Sequence, residues 1–174
     1  TVAIMPTGAG KSICFQIPAL IFEGVTIVIS PLISLMKDQV DSLSGIGISG
    51  TFINSTLSQR EIDERLDEIK RGQYKIIYLA PERLESEEFL RFLNNINVSF
   101  VAIDEAHCVS KWGHDFRPSY RLIGKMIDSF DKRPVIAGFT ATATEEVKDD
   151  IVKLLHLKKP EIYITGFDRE NLFF

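Results

Sequence analysis

The 174-residue chain has only two cysteines, Cys14 and Cys108, and this scarcity excludes a disulfide scaffold and a structural zinc set. No apolar run approaches the roughly 18 residues a membrane helix needs; the longest, such as Val25 to Ile29, suit buried strands. Low-complexity tracts, internal repeats and linker-like stretches are also missing. The first residues lack a cationic region followed by an apolar core, so no secretory leader is expected. A cytoplasmic protein is the default. Basic residues are short too: 20 against 24 acidic, a net charge of −4. That balance counts against a histone-like polybasic binder but not against a local patch that grips a phosphate backbone.

What remains is an ordinary globular composition, 45% hydrophobic and 25% charged, with length for one domain. Short runs rich in Val and Ile read as strands: Val2 to Met5, Val25 to Ser30, Thr51 to Ile53, Lys75 to Leu79, Val98 to Asp104, Val135 to Thr140 and Glu161 to Thr165. Helical patterns fill the intervals: Lys11 to Phe22, Leu32 to Leu43, Gln59 to Arg71, Glu87 to Asn94, Arg121 to Ser129 and Glu145 to Leu155. Ser30-Pro31 reads as a cap before a first-turn proline, and Ser58-x-x-Glu61 and Thr142-x-x-Glu145 read as capping boxes. On the third helix, Glu61 and Arg65 are spaced for an exposed pair. Strand–helix alternation predicts an α/β fold, a mainly parallel sheet with helices on both faces. Both ends look cut, so the expectation is one domain over 1–174, N-terminally truncated from a longer protein.

Met5-Pro6-Thr7-Gly8-Ala9-Gly10-Lys11-Ser12 follows a strand and opens a helix, the setting of a phosphate-binding loop. Gly8 and Gly10 let the backbone turn its N–H groups inward, and the helix N-terminus adds a favourable field for anions. Lys11 would reach the β- and γ-phosphates, and the Ser12 hydroxyl would ligate Mg²⁺. The first glycine of the usual pattern is Met5 here, and a chance glycine-rich turn is the plain alternative. The apolar run ending at Ile103 leads straight into Asp104-Glu105-Ala106-His107. Adjacent carboxylates at the end of a buried strand are costly unless a cation sits there. Asp104 would hold the metal and Glu105 would activate water. Cys14 and Cys108 flank these motifs, which suits either redox chemistry or, more simply, small buried side chains near the sheet.

Between His107 and Arg121, Trp112 (the one tryptophan), Phe116 and Tyr120 alternate with Lys111, His114, Arg117 and Arg121. Neither helical nor strand periodicity fits, and aromatics beside cations suit unpaired bases and their phosphates. Packing of the aromatics on the sheet is the alternative, strongest for Tyr120. The loop begins two residues after Glu105, so it is placed to couple strand binding to hydrolysis.

The M-P-T-G-A-G-K-S and D-E-A-H segments resemble those of superfamily two helicases. Ser30 to Val40, Tyr78 to Leu84, Cys108 to Pro118 and Ala137 to Thr144 narrow the resemblance to the RecQ family of ATP-dependent DNA helicases. It covers the chain from Val2 to about Asn171. The resemblance implies the first of two RecA-like domains of a 3′–5′ motor on single-stranded and branched DNA, with ATP and Mg²⁺ as cofactors. It implies Thr7, Gly8, Ala9, Gly10, Lys11 and Ser12 for nucleotide, Ser12 and Asp104 for metal, and Lys11, Asp104, Glu105 and His107 for hydrolysis. Thr140 and Thr142 would relay the state of the phosphate site through His107. Ser30, Leu32, Ser55, Thr56, Arg83, Trp112, His114, Phe116 and Arg117 would line the DNA path. Such a protein would associate with the bacterial nucleoid, or with the nucleus if eukaryotic, and not with a membrane. Lys111 and Glu170 depart from the family's usual glutamine and proline. An RNA-acting relative in superfamily two, or a nucleotide binder that never hydrolyses, are the competing readings.

Overall fold

The computed structural model describes residues 1–165; the Glu170 departure lies outside them. Seven strands form one sheet: β1 (Val2–Ile4), β2 (Val25–Ile29), β3 (Gly50–Ile53), β4 (Ile76–Leu79), β5 (Val98–Ile103), β6 (Val135–Thr140) and β7 (Ile162–Ile164). Their order is β3-β4-β2-β5-β6-β1-β7, and every pairing is parallel. Six α-helices intervene: α1 (Lys11–Ile21), α2 (Ile33–Gly45), α3 (Gln59–Lys70), α4 (Glu87–Asn94), α5 (Leu122–Ser129) and α6 (Glu145–Leu154). The expected alternation is therefore observed, with boundaries shifted by one or two residues.

The uninterrupted apolar strands are explained by two separate cores, one on each face of the sheet. On one face Phe15 and Ala19 of α1 and Met36 and Leu43 of α2 pack against Ala3, Val28, Ile76, Phe100, Ala102 and Phe139. On the other, α3 to α6 bring Ile62, Phe89, Leu93, Ile123, Met126 and Ile151 onto Val2, Ile27, Ile29, Ile77, Val101 and Ile103. Successive residues of β2 thus point to opposite cores, as pleating requires.

Local start signals were decided partly by tertiary partners. Ser58 and Glu61 form the reciprocal capping box of α3. At α6 the cap is Thr144, whose hydroxyl accepts from the Val147 amide, rather than Thr142, whose carbonyl is taken by the Thr140 hydroxyl. Ser30 does not cap α2; Leu32 precedes the helix, and Ser30 is buried at the end of β2. Arg65 makes no close ion pair with Glu61, though its charge helps lower the Glu61 carboxyl: its guanidinium lies 4.2 Å over the Phe52 ring and donates to the Phe52 carbonyl at 2.5 Å. Of the two cysteines, Cys108 is buried as expected, but Cys14 is exposed on α1.

In a parallel sheet all strands end on the same side, and the register aligns the ends here. Ile29 pairs with Leu79 and Ile103, Ile53 with Leu79, and Ile4 with Thr140. The segments after β1, β2, β3, β4, β5 and β6, which hold the chemistry-bearing motifs, therefore gather at one edge. This carboxyl edge is where open α/β sheets bind ligands.

Candidate nucleotide site and its coupled loop

After β1 the chain turns through Gly8 and Gly10, with φ of 84° and 85°. These left-handed values would strain any residue with a side chain, which accounts for both glycines. Nothing lies within 4 Å of a Cβ built at either position, so both glycines border open space at the mouth of a cleft. Helix α1 starts immediately after it with no side-chain cap, leaving its first amides directed at this hollow. Lys11 arches back over the turn, its ammonium donating to the carbonyls of Met5 at 3.1 Å and Pro6 at 3.3 Å. The Met5 amide donates to the Thr140 carbonyl, tying the loop to the end of β6.

A cleft of about 430 Å³ opens from this turn, lined by Gly8, Lys11, Ser12, Gln39, Asp104 and Glu105 among others. That volume lies within the range of small-ligand sites. A groove of similar size, about 410 Å³, runs between α3 and α4, remote from the paired acids; Arg83 lines it. In the first cleft the cationic, hydroxyl and carboxylate groups picked out in the sequence converge.

Asp104 is the first residue past β5. Its amide donates to the Ile29 carbonyl, its Oδ1 accepts from the Glu105 amide at 3.0 Å, and its Oδ2 accepts from Ser30 Oγ at 3.4 Å. Burial, followed by the like charge of Glu105, raises its carboxyl to about 6. Glu105 is shifted the other way, chiefly by its hydrogen bond with His107, so it stays ionised at neutral pH. Its φ of 47° is uncommon for a residue with a side chain, and such strain costs about 1–3 kcal/mol. The surroundings hold it there: Glu105 Oε2 lies 3.3 Å from His107 Nδ1, and the same nitrogen is 2.8 Å from Thr140 Oγ1. A buried acid, an ionised acid and a lysine around one open anion cradle fit a metal–triphosphate. A cation beside Asp104 would offset both its desolvation and its neighbour's charge.

From His107 the contacts continue into the aromatic loop. His114 stacks on His107 with ring centroids 4.3 Å apart. Trp112 is 79% exposed, whereas Phe116 is half-buried beneath the Arg121 guanidinium at 5.3 Å. Arg117 pairs with Asp115 at 3.1 Å and donates to the Pro31 carbonyl, bridging to the segment after β2. Tyr120 takes the packing alternative: it is fully buried, and its hydroxyl donates to the Asp104 carbonyl at 2.8 Å. The absence of periodicity concealed this, because an irregular segment can still send single anchors into a core.

The remaining candidates are distributed along the carboxyl edge. Leu32 lines the cleft beside Ser30. Ser55 and Thr56 are exposed after β3, with Thr56 Oγ1 donating to Asn54 Oδ1 at 2.7 Å. Thr142 is exposed. Arg83 is half-buried over Phe89, in the turn Pro81–Glu85. Sequence reasoning missed the anchors: Tyr120 on Asp104, Arg117 on Pro31, and Ser110, whose hydroxyl donates to Asp150 of α6 at 2.6 Å. None has a local signal, since partners lie 16 to 86 positions away.

An open phosphate turn and a D-E-A-H carboxylate pair thus lie at the carboxyl edge of one parallel sheet, the arrangement of a nucleotide-binding domain. Residues 1–150 match the DEAD/DEAH box helicase family, and the chain belongs to it. Within that family it is similar to proteins named ATP-dependent DNA helicase RecQ. The Bacillus subtilis protein is 63% identical over 174 residues, all of this chain and 29% of the relative. The Haemophilus influenzae protein is 47% identical over 97% of this chain and 27% of its own length. Mouse ATP-dependent DNA helicase Q5 is 45% identical over 98% of the chain and 18% of its own length. The chain thus spans less than a third of the length of each of these three relatives. Solved structures agree on the fold: the Pyrococcus furiosus Hef helicase domain superposes with a TM-score of 0.71 at 20% identity, over 97% of this chain and 35% of that one. The DUF1998 helicase MrfA bound to DNA gives 0.71 at 20%, over 94% and 23%. No helix among the described residues is long and apolar enough to cross a membrane.

Proposed function

We propose that this chain is the first of two RecA-like domains of a RecQ-type 3′–5′ DNA helicase, hydrolysing ATP to translocate on single-stranded DNA and unwind duplex or branched DNA. The observation that carries this reading is the connected series Glu105–His107–Thr140, with His114 stacked on His107. It joins the water-activating acid both to the strand end beside the phosphate turn and to the aromatic loop.

In this reading Thr7, Gly8, Ala9 and Gly10 wrap the phosphates with backbone amides. Lys11 leaves the Met5 and Pro6 carbonyls to meet the β- and γ-phosphates. Ser12 and Asp104 would hold Mg²⁺, which would supply positive charge to offset that of the phosphates. Glu105, ionised and fixed by His107, orients the attacking water and takes its proton. Thr140 and Thr142 receive the change through His107. Trp112, Phe116, His114 and Arg117 contact the DNA strand with Ser30, Leu32, Ser55, Thr56 and Arg83, the aromatics by stacking at about 1–3 kcal/mol per base. An arginine from the second RecA-like domain of the parent completes the charge stabilisation. The chain alone therefore binds nucleotide weakly, turns it over negligibly and does not unwind.

The test is ATP turnover of the full-length parent, titrated with single-stranded DNA and with RNA, alongside Lys11→Ala and Glu105→Gln. DNA-stimulated turnover that falls at least 100-fold in both variants is expected. Stimulation by RNA alone, or wild-type turnover in Glu105→Gln, overturns the reading.

A further inference from the structure

We infer that Asp150 and Ser110 form a positioning pair that carries the state of the phosphate site through α6 to Trp112. The inference rests on the motor reading above and adds to it a second route, separate from the stack of His114 on His107. Ser110 is fully buried at the base of the aromatic loop, and its hydroxyl is engaged twice. It donates to Asp150 Oδ2 at 2.6 Å and accepts from the Trp112 amide at 3.1 Å. A bond of this length to a carboxylate is charge-assisted and roughly twice as strong as a neutral one.

The location of Asp150 gives the pair its consequence. It lies one turn beyond Val147 on α6, the helix capped by Thr144 directly after the Thr140–Thr142 segment. Val147, Thr142 and Thr144 line a hollow of about 370 Å³ whose other wall is Trp112, Gly113 and His114. Gly113 is pressed against this wall's base, since a Cβ there would meet the His107 carbonyl at 2.6 Å. A displacement of Thr140 on His107 therefore moves the start of α6. Asp150 transmits that movement to Ser110 and so to the backbone of Trp112. Asp150 touches neither nucleotide nor DNA; it acts through the loop.

The test uses the full-length parent with D150A, D150N, S110A and the double variant D150A/S110A. Asp150 is half-buried on a helix, so D150A removes the acceptor without opening the core. Hydrogen exchange of the 111–114 amides is expected to quicken about tenfold in D150A while the β-strands stay unchanged. The ratio of ATP turnover with saturating oligo-dT to turnover without it is expected to fall about tenfold, with basal turnover and KM for ATP within twofold of wild type. D150N, which keeps a carbonyl acceptor, stays within threefold of wild type, and the double variant is no worse than S110A. Wild-type activation in D150A, unchanged loop exchange, or basal turnover falling by the same factor each overturns the pair. A wild-type parent indifferent to DNA refutes the motor reading instead; loop exchange then judges the anchor by itself, faster in D150A supporting it and unchanged refuting it.

Discussion

Replacing Asp104 with asparagine should stabilise the metal-free protein while abolishing its chemistry. In the folded chain burial and Glu105 lift this carboxyl from 3.8 to about 6. A group whose folded value is raised favours folding when protonated, and that contribution is lost as pH climbs through the folded value. At neutral pH the wild-type carboxylate therefore costs up to about 3 kcal/mol, at 1.36 kcal/mol per tenfold change in proton affinity. Asparagine removes the charge, can still accept from the Glu105 amide, and can donate to Ser30 Oγ. For a domain this size 1 kcal/mol moves Tm by about 2–4 °C, so D104N should melt up to about 6–12 °C higher at pH 7.5 in EDTA. The gap should close between pH 6 and pH 4, where wild type takes up the proton itself. Thermal melts monitored by circular dichroism across that range make the measurement. A variant no more stable than wild type at pH 7.5, or a gap that widens on acidification, refutes the electrostatic reasoning.

Two further outcomes follow from the anchors. Y120F deletes the hydroxyl that satisfies the Asp104 carbonyl inside the core, and should lower the urea unfolding free energy by about 1–1.5 kcal/mol with m unchanged; no loss would mean the bond contributes nothing. Native protein should react with one equivalent of Ellman's reagent, at exposed Cys14, because Cys108 is enclosed and burial, with Asp115 nearby, pushes its thiol up to about 12; two rapidly reacting thiols would contradict that environment.

The parallel sheet and the phosphate turn were readable because their determinants are local. Runs such as Val25–Ile29 are short and apolar throughout, and the spacing from Gly8 to Ser12 is a backbone requirement written in consecutive residues. The paired acids were readable for the same reason, as charge set directly against a buried strand. What stayed hidden were pairings across the fold. Nothing beside Ser30 announces Asp104, 74 positions away, nothing beside Arg65 announces the Phe52 ring, and Ser110 gives no hint of Asp150. Tyr120 was ambiguous because the loop's irregular backbone removes the periodicity from which burial is ordinarily inferred. At Thr142 and Thr144 the local pattern offered two caps, and the folded chain ties the Thr142 carbonyl to the Thr140 hydroxyl while Thr144 caps α6.

The strand that leads into the phosphate turn is β1, only three residues long, and its neighbours are β6 and β7. Ile4 must find Thr140 and Ile164, more than 130 residues further along. Closing loops of that span is slow, so the sheet has a high contact order and β1 cannot pair until distant strands are present. During synthesis β1 must wait, without its partners β6 and β7, until those strands have been made. A nascent chain arrested before β6 would carry every residue of the glycine turn and still be unable to shape it.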